Sequence, residues 1–393
     1  MTPTKNEATL ASLIDWFAEE SDWARVAFKE AKDAGRTVIG VYCGFMPSEL
    51  IRAAGAIPVS LCGNSAEAML AAEVDLPRAF CPLIKSSYGL AITDTCPFFH
   101  FSDALIGETT CDGKKKMFEL LKEYKPVHVM QLPFSGAAAD EPALSWWLGE
   151  VKRVATFVEE VTGTTITDEA LRATIRTTNE ISDLLRQVAS YFAEDDPPMT
   201  WTQMLIVQDL GCFVVETDEY AERLRELVFV LEAIAAERRA APRTRGRRPR
   251  LTVTGTPMSP DTNKVMRIAE EAGADVVCHD GCSGVKMHDR RIDETGDPYE
   301  ALARYTLGIP CACMSPNRGR TELLHRTVDT YRVEGVIDTV WQCCHTFNVE
   351  SVEVGRYTRD VLGLPYLKLE TDYSESDLGQ LRTRIEAFVE QML

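Results

Sequence analysis

TVIGVYCGFMPSELIRAAGAIPVSLC, residues 37–62, decides the architecture. TVIGVY (37–42) is an apolar run of strand length, CGFMP is a turn, SELIRAAGA (48–56) has helical periodicity with Ser48 placed to cap it, and IPVSLC (57–62) returns to a strand. A helix between two strands at this spacing predicts a βαβ unit and parallel pairing. The scheme recurs in DALIGE (103–108), the loop TTCDG, the helix KKKMFELLKEY (114–124) and the strand VHVMQLP (127–133). It starts again with LTVTG (251–255), the helix KVMRIAEEAG (264–273) closed by Gly273, and ADVVC (274–278). VEGVIDTVWQ (333–342), a helix over roughly 349–362, PYLKLE (365–370) and a last helix through 376–392 complete it.

The fold class expected is therefore α/β: two Rossmann-like lobes with parallel sheets, joined by a helical segment. The divisions fall at 1–36 (N-terminal helices), 37–140 (first lobe), 141–250 (helical segment and Arg-rich linker) and 251–393 (second lobe). RRAAPRTRGRRPR (238–250) reads as a solvated linker ahead of the second lobe. In such lobes ligands bind in a crevice at the carboxyl ends of the strands.

The chain has 393 residues, with 42 Lys+Arg against 60 Asp+Glu and a net charge of −18. That balance argues against nucleic acid, which requires a basic face. The N-terminus carries acids and no apolar core of a signal peptide, and no apolar run approaches the roughly 20 residues of a membrane span. A cytoplasmic protein is expected, in a compartment where thiols stay reduced, so the 12 cysteines need a reason other than disulfides.

Their positions supply one. Cys43 and Cys111 each follow a strand and precede a helix, and Cys81 sits in RAFCPLIKSSYG ahead of a helix. Cys278 and Cys282 bracket the turn after ADVV, Cys311 and Cys313 follow YTLGIP, and Cys343 and Cys344 follow GVIDTVW. Helix N-termini lower thiol pKa values and favour anions, which suits thiolates around a negatively charged cluster. Zinc fits poorly, because the chain has no C-x2-C pair and its His are dispersed. Ligands drawn singly from separate loops of two lobes point to an iron–sulfur cluster in the cleft, with buried structural thiols as the alternative. Cys62 and Cys212 read as core thiols. His345, beside Cys344, is a candidate proton donor or a surface side chain; Glu49, opening the helix after Cys43, is a candidate proton relay or helix-end acceptor. Lys85, Lys286 and the run Lys114–Lys116 read as solvated, although each lies near a cysteine loop.

CGFMPSELIRAAGAIPVSL, TTCDGKKKMFELL and LKLETDYSESDLGQLRTRIEAFVEQM, in that order, resemble the 2-hydroxyacyl-CoA dehydratase and benzoyl-CoA reductase subunit superfamily over residues 37–393. RAFCPLIKSSYG, VVCHDGCSG, GIPCACMSPN and VWQCCHTFNVES resemble its double-cubane cluster branch. The resemblance implies an iron–sulfur cluster, an 8Fe-9S double cubane, held by Cys43, Cys81, Cys111, Cys282, Cys311 and Cys344, with Cys278, Cys313 and Cys343 as adjacent competitors. It implies a low-potential reductase served by a separate ATP-hydrolysing iron–sulfur activator, and a homodimer acting on a small molecule. GCSGVK (281–286) is too short for a phosphate-binding loop, in keeping with ATP hydrolysis by a partner. The alternatives are a 2-hydroxyacyl-CoA dehydratase subunit with one 4Fe-4S cluster, and a non-catalytic cluster-binding protein.

Overall fold

The computed structural model describes residues 4–135, 140–240 and 246–393. Helix α1 (Lys5–Asp33) leads into β1 (Val38–Val41), α2 (Ser48–Ala53), β2 (Ile57–Ser60), α3 (Ala66–Ala71), α4 (Pro82–Ile92), α5 (Pro97–Phe101), β3 (Ala104–Glu108), α6 (Asp112–Leu121) and β4 (Val127–Met130). Four longer helices follow: α7 (Glu141–Thr162), α8 (Asp168–Ser190), α9 (Trp201–Leu210) and α10 (Thr217–Ala240). The second half contains β5 (Arg250–Gly255), α11 (Lys264–Glu271), β6 (Asp275–His279), α12 (Pro298–Leu307), α13 (Arg318–Tyr331), β7 (Gly335–Trp341), α14 (His345–Arg356), β8 (Tyr366–Thr371) and α15 (Leu378–Glu390).

The two α/β lobes have one topology. Both sheets are four-stranded and parallel, ordered β2-β1-β3-β4 and β6-β5-β7-β8. In this order the connections leave the first strand of each sheet in opposite directions, so a switch point opens beyond the carboxyl ends of β1 and β3, and another beyond β5 and β7. Sequence alternation explains how the first sheet is covered on both faces. Ile39 and Ile106 pack with Leu50, Trp147 and Val151 on one side. Val38, Ile57, Val59 and Leu105 pack with Phe118 and Tyr88 on the other.

The N-terminal segment expected as helices is one helix. Leu10, Leu13, Ile14, Phe17, Ala24 and Phe28 form its buried stripe. The middle helices divide between the cores: α7 joins that of the first sheet, α9 and α10 that of the second, and α8 spans both, with Leu171 and Ile175 in the first and Leu184, Leu185 and Val188 in the second. Helix α12, although it follows β6, also packs on α7, where the Trp147 indole N–H donates to Thr306 Oγ1 at 2.8 Å. Each half of the chain therefore contributes to the packing of the other.

The described flanks of the Arg-rich run correct the solvated-linker expectation; residues 241–245 lie outside the described residues. Arg250 is buried at the start of β5, and its guanidinium donates to the carbonyl oxygens of Tyr331, Phe192 and Glu194. Arg248 donates to the carbonyls of Glu270 and Ala274. These side chains satisfy exposed ends of neighbouring elements. Arg250→Ala is expected to cost about 2–3 kcal/mol in urea denaturation, because it orphans buried acceptors.

A cysteine-lined crevice as the candidate functional site

The cysteines occupy backbone positions that favour negative charge. Cys81, Cys96, Cys111 and Cys344 are the N-caps of α4, α5, α6 and α14. The Cys111 sulfur accepts from the Lys114 N–H at 3.4 Å. Cys344 reaches its cap through a tight turn closed by its own N–H donating to the Trp341 carbonyl at 3.0 Å. Cys343 takes the left-handed position of that turn, at φ 57°. The turn thus separates two adjacent cysteines, and it is Cys344 that meets the other thiols.

The structure brings the six cysteines singled out from the sequence within reach of one another where the lobes meet. Cys81 and Cys344 lie thiol to thiol across the lobes. Cys43, beyond β1, faces Cys282 and Cys311 from the second half of the chain. Cys111 and Cys311 both lie within electrostatic reach of Cys344. All are free thiols. Cys313 pairs with Cys311, and the anion is favoured on Cys311, which accepts from Cys313 and feels Lys286 and Lys114. Cys278 is elsewhere: it is the fourth residue of β6, fully buried in the second core beside Thr327. Among the described residues no three Cys, His, Asp or Glu side chains converge tightly enough to hold a single metal ion.

Cys62 and Cys212 are not core thiols. Both are exposed. Cys62 lies just beyond β2 and its thiol donates to the Tyr42 carbonyl at 3.0 Å. Cys212 sits in the turn between α9 and α10, where its carbonyl accepts from the Ser60 N–H. Each feels Cys282.

The lysines depart further from expectation. Lys114 is buried, and its ammonium donates to the Tyr42 carbonyl at 2.8 Å. Burial works against its charge, but Cys43, Cys62, Glu108 and Cys111 outweigh it and raise its pKa. Lys115 and Lys116 are the solvated members of that run, paired with Asp112 and Glu119. Lys286 is buried, and its interactions with Cys282, Cys311 and Asp280 support its charge against that burial. Lys85 is buried too, but its partner is Glu73 at 2.6 Å. Sequence reading missed these because a charge run is ordinarily a solvated face; the available signal was Lys114 three residues after Cys111, one helical turn into α6. It also missed Glu108, whose carboxyl ends β3, accepts from the Met46 N–H at 2.7 Å, and is pushed up to about 8 by burial against the pull of Lys114.

The two residues considered for proton chemistry are not drawn in. His345 is exposed at the start of α14. Glu49 is buried, but it faces Thr178 and Arg52, and its pKa is raised by burial. The Cys282 loop is instead organised by His279. Its ring is fully buried, Nδ1–H donates to the Val253 carbonyl at 2.8 Å, and burial pushes it down to about 4, so it is neutral. The loop folds tightly around it: a Cβ at Gly284 would meet the His279 carbonyl oxygen at 2.0 Å. A depressed histidine contributes stability that is present above its unfolded pKa of about 6.5 and lost as pH falls toward about 4. The loss is expected to be on the order of 3 kcal/mol across that window, and His279→Asn should flatten it when denaturation midpoints are compared.

A family model described as 2-hydroxyglutaryl-CoA dehydratase, D-component, matches residues 43–392. The chain is 42% identical to YjiM of Escherichia coli, provisionally named a dehydratase subunit, over 98% of both chains. It is 22% identical to the (R)-phenyllactyl-CoA dehydratase beta subunit of Clostridium sporogenes, over 93% of this chain and 94% of that one. Identity is again 22% to the (R)-2-hydroxyglutaryl-CoA dehydratase subunit beta of Acidaminococcus fermentans, over 98% of this chain and 100% of that one.

Proposed function

The chain belongs to the 2-hydroxyglutaryl-CoA dehydratase D-component family, and on that premise we propose that it is an iron–sulfur reductase whose crevice holds a double-cubane 8Fe-9S cluster through Cys43, Cys81, Cys111, Cys282, Cys311 and Cys344. The observation that carries this reading is the meeting of free thiols from both lobes at the carboxyl ends of two parallel sheets. The donor set fits a polynuclear group. Thiols spread around a crevice, rather than closing on one point, suit irons that each take their own cysteine. Three of the six stand at helix N-termini, where oriented N–H groups offset thiolate charge. Such a cluster, when bound, supplies electrons at low potential.

The chain's own residues would do the rest. Trp341 and Tyr373, packed edge to face at 5.0 Å, and Phe347 wall the second-lobe side with apolar surface that limits water. Glu108, pushed up to about 8 by burial, would serve as a proton carrier near Cys43, with Oε1 accepting from the Met46 N–H and Oε2 unpartnered. Electrons would come from a separate ATP-hydrolysing iron–sulfur activator, since the chain lacks the G-x-x-x-x-G-K-[ST] motif. A symmetric activator docks most simply on a homodimer. Cytoplasmic residence agrees with free thiols, and among the described residues no helix is long and apolar enough to cross a membrane.

A second reading is favoured by the relatives' names: a 2-hydroxyacyl-CoA dehydratase subunit with a single 4Fe-4S cluster, a different partner subunit and a CoA thioester substrate. Purified chain, activator, ATP and a low-potential reductant separate the two. ATP-dependent reduction of a small molecule without a further subunit supports the reductase. Turnover only of a 2-hydroxyacyl-CoA with an added subunit overturns it.

A further inference from the structure

Lys286 lies in the single helical turn Val285–Met287 beyond the Cys282 loop, and it is 4% exposed. Among the described residues its ammonium forms no hydrogen bond or ion pair, and it stands 5.6 Å from the centre of the Phe347 ring. Arg320 approaches the same ring at 5.0 Å, but Glu350 balances it at 2.6 Å. The acid nearest Lys286, Asp280, is engaged elsewhere, accepting from the Thr254 hydroxyl at 2.8 Å and from the Gly255 N–H. What remains beside the ammonium is the pair of thiols Cys282 and Cys311.

The turn is held firmly. The Tyr305 hydroxyl donates to the Met287 carbonyl at 2.6 Å, and Met287 is pressed against Gly44, where a Cβ would meet its Cε at 2.2 Å. The turn that carries Lys286 is thereby fixed against the loop after β1. From the other lobe comes Lys114, whose ammonium among the described residues makes one hydrogen bond, to the Tyr42 carbonyl at 2.8 Å, which leaves most of its donor capacity unused. Glu108 and Asp280 are within electrostatic reach of these ammoniums, but among the described residues neither carboxyl bonds to one, Glu108 accepting from Met46 and Asp280 from Thr254. A buried ammonium without a bonded anion is expensive, so two of them flanking one crevice point to an anionic occupant.

We propose that Lys286 and Lys114 are paired counter-cations, one from each lobe, that hold the anionic thiolate-bound group and raise its reduction potential. The inference rests on the cluster reading above and adds the charge control of that site. A fixed positive charge stabilises the form carrying one more electron, and low dielectric strengthens the effect. Lysine suits this task as a compact point charge that needs no bidentate partner.

The test uses the full-length protein with its cluster reconstituted anaerobically, read by iron content and by an EPR-monitored redox titration. Lys286→Met and Lys114→Met are expected to keep the fold and to lower the one-electron reduction constant about tenfold each, about 59 mV in midpoint. Lys286→Arg should stay near the parent value, and Lys115→Met should not move it. Loss of iron in both Met variants with retention in Lys286→Arg would also support the proposal. Full iron with an unmoved midpoint in Lys286→Met and Lys114→Met would overturn it. If Lys286→Met does not fold, Lys286→Gln carries the same test. Parent protein that binds no iron would overturn the cluster reading itself, which distinguishes the two failures.

Discussion

Cys43→Ala and Cys344→Ala are each expected to lose at least about tenfold of the iron the parent protein retains after anaerobic reconstitution and desalting. The two residues come from different lobes, and each is tied to thiols of the other half: Cys43 to Cys282 and Cys311, Cys344 to Cys81. Removing either opens one side of the ring of ligands. Cys344 also caps α14, so its loss removes a ligand standing at a helix N-terminus, where thiolate charge is favoured. Cys278→Ala is the control. Its thiol is inside β6 in the second core, and it should keep iron at the parent level while losing a little stability to the small cavity. Full iron in Cys43→Ala would remove that residue from the ligand set.

Arg320→Met is expected to destabilise the fold by about 3–5 kcal/mol. Arg320 is buried, donates to Glu350 Oε2 at 2.6 Å and to Thr254 Oγ1 at 3.0 Å, and stands 4.0 Å from Asp338. Taking it away leaves Glu350 and Asp338 buried with much of their compensation gone, and burial already pushes Asp338 up to about 6. Asp338→Asn in the Arg320→Met background should recover part of the loss, because it removes one stranded charge. Arg304→Met, which breaks the exposed pair with Glu300, should cost under about 1 kcal/mol. A cost for Arg320→Met as small as that of the exposed pair would contradict the buried-network account.

Much of the fold was legible because interior strands of parallel sheets are apolar on both faces and stand out between helices. VIGV, ALIGE and GVIDTVW were located to within a residue or two. The helix placed at roughly 349–362 begins earlier, at His345, directly after the tight turn that ends at Cys344, which local periodicity does not reveal. The packing of α12 on α7 was invisible: it depends on Trp147 and Thr306, far apart in sequence. At the site, strand-end and loop placement singled out cysteines that the fold brings near one another, since the chain reverses there whatever the tertiary detail. The choice between neighbours was not legible. Cys344 over Cys343 turns on one left-handed residue, and Cys282 over Cys278 on where β6 ends. Cys62 and Cys212 misled because their sequence neighbours are apolar, although both lie exposed at chain turns. Lys114 and Lys286 misled for the converse reason: lysine is ordinarily solvated, and only the enclosing fold buries these two.

The most direct measurement is iron and acid-labile sulfide per chain in protein purified and handled without oxygen. The double-cubane account predicts about eight iron and about nine sulfide. About four iron would contradict it in favour of a single cube, and protein without iron would contradict the cluster altogether.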